Sequence, residues 1–131
     1  MRYLDSSFLI SFFLPDDSNH EKAVNIFTKT SDELSVLFEV LVETLTVMNR
    51  HRGIEFTNKI YCAMQENTRF IFKQPLTQTE QEAGFSFFLS QKPGQGLSFV
   101  DSLQITYALA NEVEVLTFDD KLLKALKVAR L

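Results

Sequence analysis

Apolar positions recur along this chain with two different periods, and the switches between them mark out alternating strands and helices. Residues 2–5 read as a short strand, followed from Ser6 or Ser7 by an apolar helix that ends near Pro15. Ser18-Asn19-His20-Glu21 has the form of a capping box and predicts a helix through about Thr28. Residues 34–37 suit a second strand. From 38 to about 52 the spacing turns helical, with Gly53 as its stop, and another helix follows over 54–66. Arg69-Phe70-Ile71-Phe72-Lys73 alternates as a strand does, and Pro75 closes it. Two starts fit the next helix, Thr77 with Glu80 or Thr79 with Glu82; either carries it to about Gln91. Pro93-Gly94-Gln95-Gly96 is a loop, after which Ser98 caps a helix to about Asn111. Residues 114–118 form a fourth strand and 121–128 a terminal helix.

Strands separated by helices predict an α/β fold, with a parallel sheet covered on both faces. No repeat, low-complexity stretch or linker interrupts the pattern, so residues 1–131 read as a single domain. In such sheets, ligands bind beyond the carboxyl ends of the strands, at the point where the strand order reverses. Asp5 and Asp119 both fall at the carboxyl end of a predicted strand.

Composition narrows the setting. No apolar run approaches the roughly 20 residues of a membrane span, and the start lacks a basic segment with a cleavage site. Cys62 is the only cysteine, so a reducing compartment is expected and the chain reads as a soluble cytoplasmic domain. The net charge of −4 argues at first against a nucleic-acid partner, yet without Asp5, Glu43, Asp101 and Asp119 the remainder is neutral. Attraction for phosphate would have to come from local basic patches or bound cations, not from bulk charge.

Those four acids each sit at the edge of an apolar run. A carboxylate there is costly to desolvate unless something compensates it, and no Lys or Arg lies within four positions of Glu43 or Asp101. A hard divalent cation, which prefers oxygen ligands, would compensate all four together. The chemistry this suggests is metal-assisted hydrolysis of a phosphodiester by Mg²⁺ or Mn²⁺, with Asp5 and Asp101 as principal ligands and Glu43 and Asp119 completing the site. Each acid has a plainer alternative. Asp5 could cap a helix at a strand–helix turn, and Asp101 could favour the dipole of the helix capped by Ser98. Glu39 lies one turn before Glu43 on the same face, and Asp120 rivals Asp119.

The motifs in order are Leu4-Asp5-Ser6-Ser7, Glu43 followed seven positions later by Arg50, Gly96-Leu97-Ser98-Phe99-Val100-Asp101-Ser102-Leu103, and Leu116-Thr117-Phe118-Asp119. Together, from residue 2 to about 124, they resemble the PIN-domain nucleases, and among these the small VapC-like toxins. The resemblance implies a three-layer α/β/α fold with a central parallel sheet of four to five strands, in which the strands before Asp5 and Asp119 are neighbours. It favours Glu43 over Glu39 and Asp119 over Asp120, leaving Asp120 as a cap or an outer group. It also implies a metal-dependent endoribonuclease in which water attacks, leaving 5′-phosphate and 3′-hydroxyl ends. The partners it implies are an RNA substrate, a second copy of the chain in a homodimer, and a cognate antitoxin. A catalytically inactive PIN-like domain, RNA-binding or structural, is the alternative.

Other residues are weighed around that site. Ser6 and Thr117 are placed to hydrogen-bond the carboxylates. Arg50 shares the helix face of Glu43 about 10 Å along and could contact a flanking phosphate. Lys121, Lys124, Lys127 and Arg130 recur every third residue as a winding basic stripe, either solvated or facing RNA or an acidic partner segment. His20 and His51 read as surface residues, and Cys62 as a small core residue.

Overall fold

All four predicted strands form, each three residues long, in a computed structural model that describes residues 1–131. In chain order the elements are β1 (Arg2–Leu4), α1 (Ser6–Phe13), α2 (His20–Lys29), β2 (Leu34–Val36), α3 (Phe38–Arg52), α4 (Ile54–Glu66), β3 (Phe70–Phe72), α5 (Gln78–Leu89), α6 (Phe99–Asn111), β4 (Glu114–Leu116) and α7 (Asp120–Ala129). The strands make one wholly parallel sheet in the order β3-β2-β1-β4, four strands from the expected four to five. Leu34, Ser35 and Val36 are all buried, which requires cover on both faces of the sheet.

Local chemistry sets the boundaries. The two starts offered for α5 resolve in favour of Thr77, whose hydroxyl accepts from the Glu80 amide while the Glu80 carboxylate accepts from the Thr77 amide. The capping box expected at Ser18 does not form. Asp17 takes over that turn: its carboxylate accepts from the Asn19 amide and the Ser11 hydroxyl, its carbonyl from the His20 amide, and α2 starts without a side-chain cap. The fourth strand stops at Leu116 instead of 118, because its partner β1 ends at Leu4. Beyond that point hydroxyls replace the ladder: the Phe118 amide donates to Ser7 Oγ and the Asp119 amide to Thr117 Oγ1.

The core runs through the sheet into α1, α3, α6 and α7, with Leu4, Phe8, Leu9, Val40, Leu103, Ile105 and Leu122 almost wholly enclosed. Of the thirteen Phe residues, Phe12, Phe13, Phe27 and Phe70 pack ring against ring beside β3. Cys62 is exposed on α4, not in the core, because that helix buries Thr57 and Met64 on its other face. Helix α6 is fixed from two sides. A Cβ on Gly84 of α5 would meet Leu103 Cδ2 at 2.4 Å and its Cα at 3.3 Å, so any larger residue there has to displace the buried Leu103 side chain or part the two helices. The Tyr107 hydroxyl also bonds that of Tyr3 on β1 at 3.1 Å.

The sheet order places the functional end. The chain moves outward from β1 through β2 to β3, then returns to the far side of β1 as β4. Strand order therefore reverses at β1, and the crevice past the ends of β1 and β4 is the switch point of the sheet. The Asp5 amide donates to the Leu116 carbonyl across it at 3.0 Å.

Candidate active site

Three helices begin around this crevice, and each carries an acid at its cap or in its first turn. Asp5 is the N-cap of α1, with its carboxylate near the Ser7 amide. Asp101 is the third residue of α6, in a reciprocal capping box: its amide donates to Ser98 Oγ and its Oδ2 accepts from the Ser98 amide, both at 3.0 Å. Asp119 is the N-cap of α7, its Oδ1 accepting from the Lys121 and Leu122 amides at 2.9 and 3.3 Å. Asp120, expected as cap or outer group, is simply the first residue of α7. For Asp5 and Asp101, capping and membership of the acidic cluster coincide. The N-terminal ends of α1, α6 and α7 carry partial positive charge, which offsets part of the repulsion among the acids.

Glu43 comes from the middle of α3. Its carboxyl is pushed above the usual carboxylate range first by burial and then by the charge of Asp5, with Asp101 and Asp119 adding to the effect and the Ser6 hydroxyl opposing it. Burial likewise pushes the Asp101 carboxyl up, its hydrogen bonds with Ser98 opposing and the charges of Asp5 and Asp119 adding. The four carboxylates are thus brought within electrostatic reach of one another. Glu39 lies outside this group; its Oε2 accepts from the Leu76 amide at 3.0 Å and ties α3 to the segment before α5.

Asp5 is the most firmly held of the four. Its Oδ2 accepts from Ser7 Oγ at 2.7 Å and Thr117 Oγ1 at 2.8 Å, and its Oδ1 from Gln104 Nε2 at 2.9 Å. Ser6 Oγ donates to Glu43 Oε1 at 3.2 Å. Ser6 thus bonds Glu43, and Thr117 bonds Asp5. Ser7 and Gln104 were missed. Gln104 carried a signal, as a polar residue one turn after Asp101 on the helix face that continues to Ala108. Arg50, exposed near the end of α3, has no hydrogen-bond or ion-pair partner, whereas Arg52 pairs with Asp16.

The donor set suits a hard divalent cation: all oxygen, mostly carboxylate, and with no ion pair to a Lys or Arg. Glu43 Oε2 and Gln104 Oε1 are buried and lack any hydrogen-bond partner, the condition an ion or an ordered water would relieve. No three His, Cys, Asp or Glu side chains gather closely enough to enclose an ion on their own. A divalent ion bound here would therefore have to keep water ligands of its own.

A pH effect follows from the two raised carboxyls. Between its ordinary and its raised pKa, such a group binds more protons in the folded chain than in the unfolded one, so stability falls as pH rises through that window. In EDTA, the contribution of Glu43 and Asp101 should therefore stabilise the protein as pH is lowered through their folded-state values, and level off below the ordinary carboxylate range. Thermal unfolding of the wild type and of Glu43→Gln across pH measures it. The variant should show a smaller gain on acidification.

Comparison with known proteins follows the same line. The family described as "PIN domain" matches residues 2–128. No curated protein sequence matches significantly. Among solved structures, the VapC20 toxin of Mycobacterium tuberculosis, described as cleaving the sarcin–ricin loop, superposes with a TM-score of 0.82 at 21% identity, covering 95% of each chain. PAE2754 of Pyrobaculum aerophilum superposes with a TM-score of 0.62 at 14% identity, covering 96% of this chain and 84% of the other. At these identities the structural likeness is one of fold.

Proposed function

We propose, from the premise that this chain belongs to the PIN-domain family, that it is a metal-dependent endoribonuclease acting as the toxin of a toxin–antitoxin pair. The observation that carries the reading is the set of four carboxylates, Asp5, Glu43, Asp101 and Asp119, coupled by charge at the switch point of the sheet. The toxin character and RNA target described for the Mycobacterium protein support the narrower part.

In this reading Asp5, immobilised by Gln104, Ser7 and Thr117, and Asp101, immobilised by Ser98, are the principal ligands of Mg²⁺ or Mn²⁺. Glu43 and Asp119 complete the site directly or through water. A bound ion would supply charge relief on the phosphate and an acidified water as nucleophile. Glu43 Oε2, the buried carboxylate oxygen of the cluster without a partner, has a lone pair free for an ion or for a proton taken from that water. Attack by water leaves 5′-phosphate and 3′-hydroxyl ends. The partners are RNA, a second copy of the chain and a cognate antitoxin, in a protein with no helix long and apolar enough to cross a membrane.

RNA cleavage that requires added Mg²⁺ or Mn²⁺ and stops with EDTA tests the activity, and ions located after a Mn²⁺ soak test the ligands. A second reading, a PIN-like domain that binds RNA without cleaving it, is favoured by one observation: the acids cap helices and no three of them close around a point. RNA binding without cleavage at any concentration of either metal would establish that reading instead.

A further inference from the structure

The basic stripe on α7 does not act as a unit. Arg130 donates to the Val113 carbonyl at 2.7 Å, and Lys127 does not line the cleft beside α7. Lys121 and Lys124 instead form one wall of a cleft of about 720 Å³, whose opposite wall is the end of α5 and the loop that carries Lys92. Phe87, Leu97 and Val128 provide apolar lining, and no Asp or Glu lines the cleft. None of the three lysines takes part in an ion pair. Lys121 leans across the cleft onto the loop: its ammonium lies 3.0 Å from where a Cβ on Gly96 would sit. Gly96 has φ 69°, a conformation glycine adopts freely, so the loop both turns there and makes room for the ammonium.

We propose that this cleft holds the phosphate backbone of an RNA strand beside the bond to be cut. The inference rests on the ribonuclease reading and extends it to how substrate is held. Both walls lead into the acids. One is α7 from Lys121 to Ala129, a helix capped by Asp119; the other runs through Leu97 to Ser98 and so to Asp101. The Lys121 and Leu97 end of the cleft is therefore the end next to the acids, none of which lines it. Lys121 and Lys124 are two and five residues beyond Asp119, one turn apart on the helix. Four clustered carboxylates repel a polyanion, and the chain as a whole is negative, so attraction has to be local. Three unpaired lysines with no carboxylate among the lining residues attract a polyanion, and the continuity of both walls with the helix starts that carry Asp119 and Asp101 favours the strand being cut over a separate acidic partner. The apolar lining accommodates ribose or a base face.

The test is fluorescence anisotropy of a labelled single-stranded RNA oligonucleotide titrated with the full chain in EDTA, where cleavage is silent, over a range of salt. The double variant Lys121→Ala/Lys124→Ala should bind about tenfold more weakly at low salt, with a salt slope lower by about 1.4 units, the value for two phosphates on a single strand. Lys121→Arg/Lys124→Arg should keep most of the affinity, and Lys127→Ala all of it. Thermal unfolding checks that the variants are folded. Unchanged affinity and slope in the double Ala variant would overturn the proposal. So would an unchanged RNA affinity with lost binding of poly-glutamate, which would make the cleft a surface for an acidic protein segment. Metal-dependent cleavage by the wild type is scored separately: its absence, with lysine-dependent RNA binding intact, counts against the ribonuclease reading and not against the cleft.

Discussion

Asp5→Asn should abolish metal-dependent RNA cleavage, by more than about a hundredfold, while the protein remains folded. The lower bound comes from groups that merely orient a metal ligand, whose loss typically costs 10- to 100-fold; a ligand itself should cost more. The fold should survive for two reasons. Asn is as good an N-cap as Asp, so α1 keeps its start. The new amide nitrogen also finds a partner, because the Gln104 side chain can turn over and offer its presently unpartnered Oε1 in place of its Nε2. Asp5→Ala would confuse the result by removing the cap, at about 1 kcal/mol of stability. Cleavage assays in Mn²⁺ alongside thermal unfolding decide the matter. Full activity in Asp5→Asn would remove Asp5 from the ligand set.

The second large effect separates Glu43 from Glu39. Glu43→Gln should cost at least tenfold in cleavage, and yet raise the melting temperature of the metal-free protein. Its ionised form is opposed by burial and by the charge of Asp5, and glutamine relieves both while still accepting from Ser6 Oγ. A substitution that gains stability as it loses activity marks a group held in an unfavourable state for its function. Glu39→Gln should change neither property much, since an amide oxygen can still accept from the Leu76 amide. Glu39→Ala strands that buried amide and should lower stability by about 1–3 kcal/mol with cleavage unaltered. Equal losses of activity at the two positions would mean that the acid taken from α3 is wrongly assigned.

Much of this was legible in the sequence because the signals were local. Strand and helix positions followed from apolar spacing, and Gly53 and Ser98 marked helix ends correctly. The failures came where a nearer competitor captured a group. Asp17 took the turn that Ser18 was expected to cap, and Asp119 took the cap left open to Asp120. The side chains that hold Asp5 were harder to see, because Gln104 is 99 positions away in the chain and meets it only after α6 packs against the sheet. The basic stripe illustrates the opposite error: a regular spacing along α7 grouped four cations that the fold assigns to different surroundings.

The placement of Asp5 and Asp119 at helix N-caps has an evolutionary consequence. Codons for aspartate and asparagine differ by one base, and asparagine fills an N-cap as well as aspartate does. Under the proposed ligand assignment, a single point mutation at either position silences the chemistry while the chain folds as before. In the toxin reading proposed above, such a change relieves the hazard to the cell at once and leaves behind an intact fold for other uses. Inert descendants of this architecture are thus one mutational step away, and they would differ from their active ancestor by little more than the charge on a helix cap.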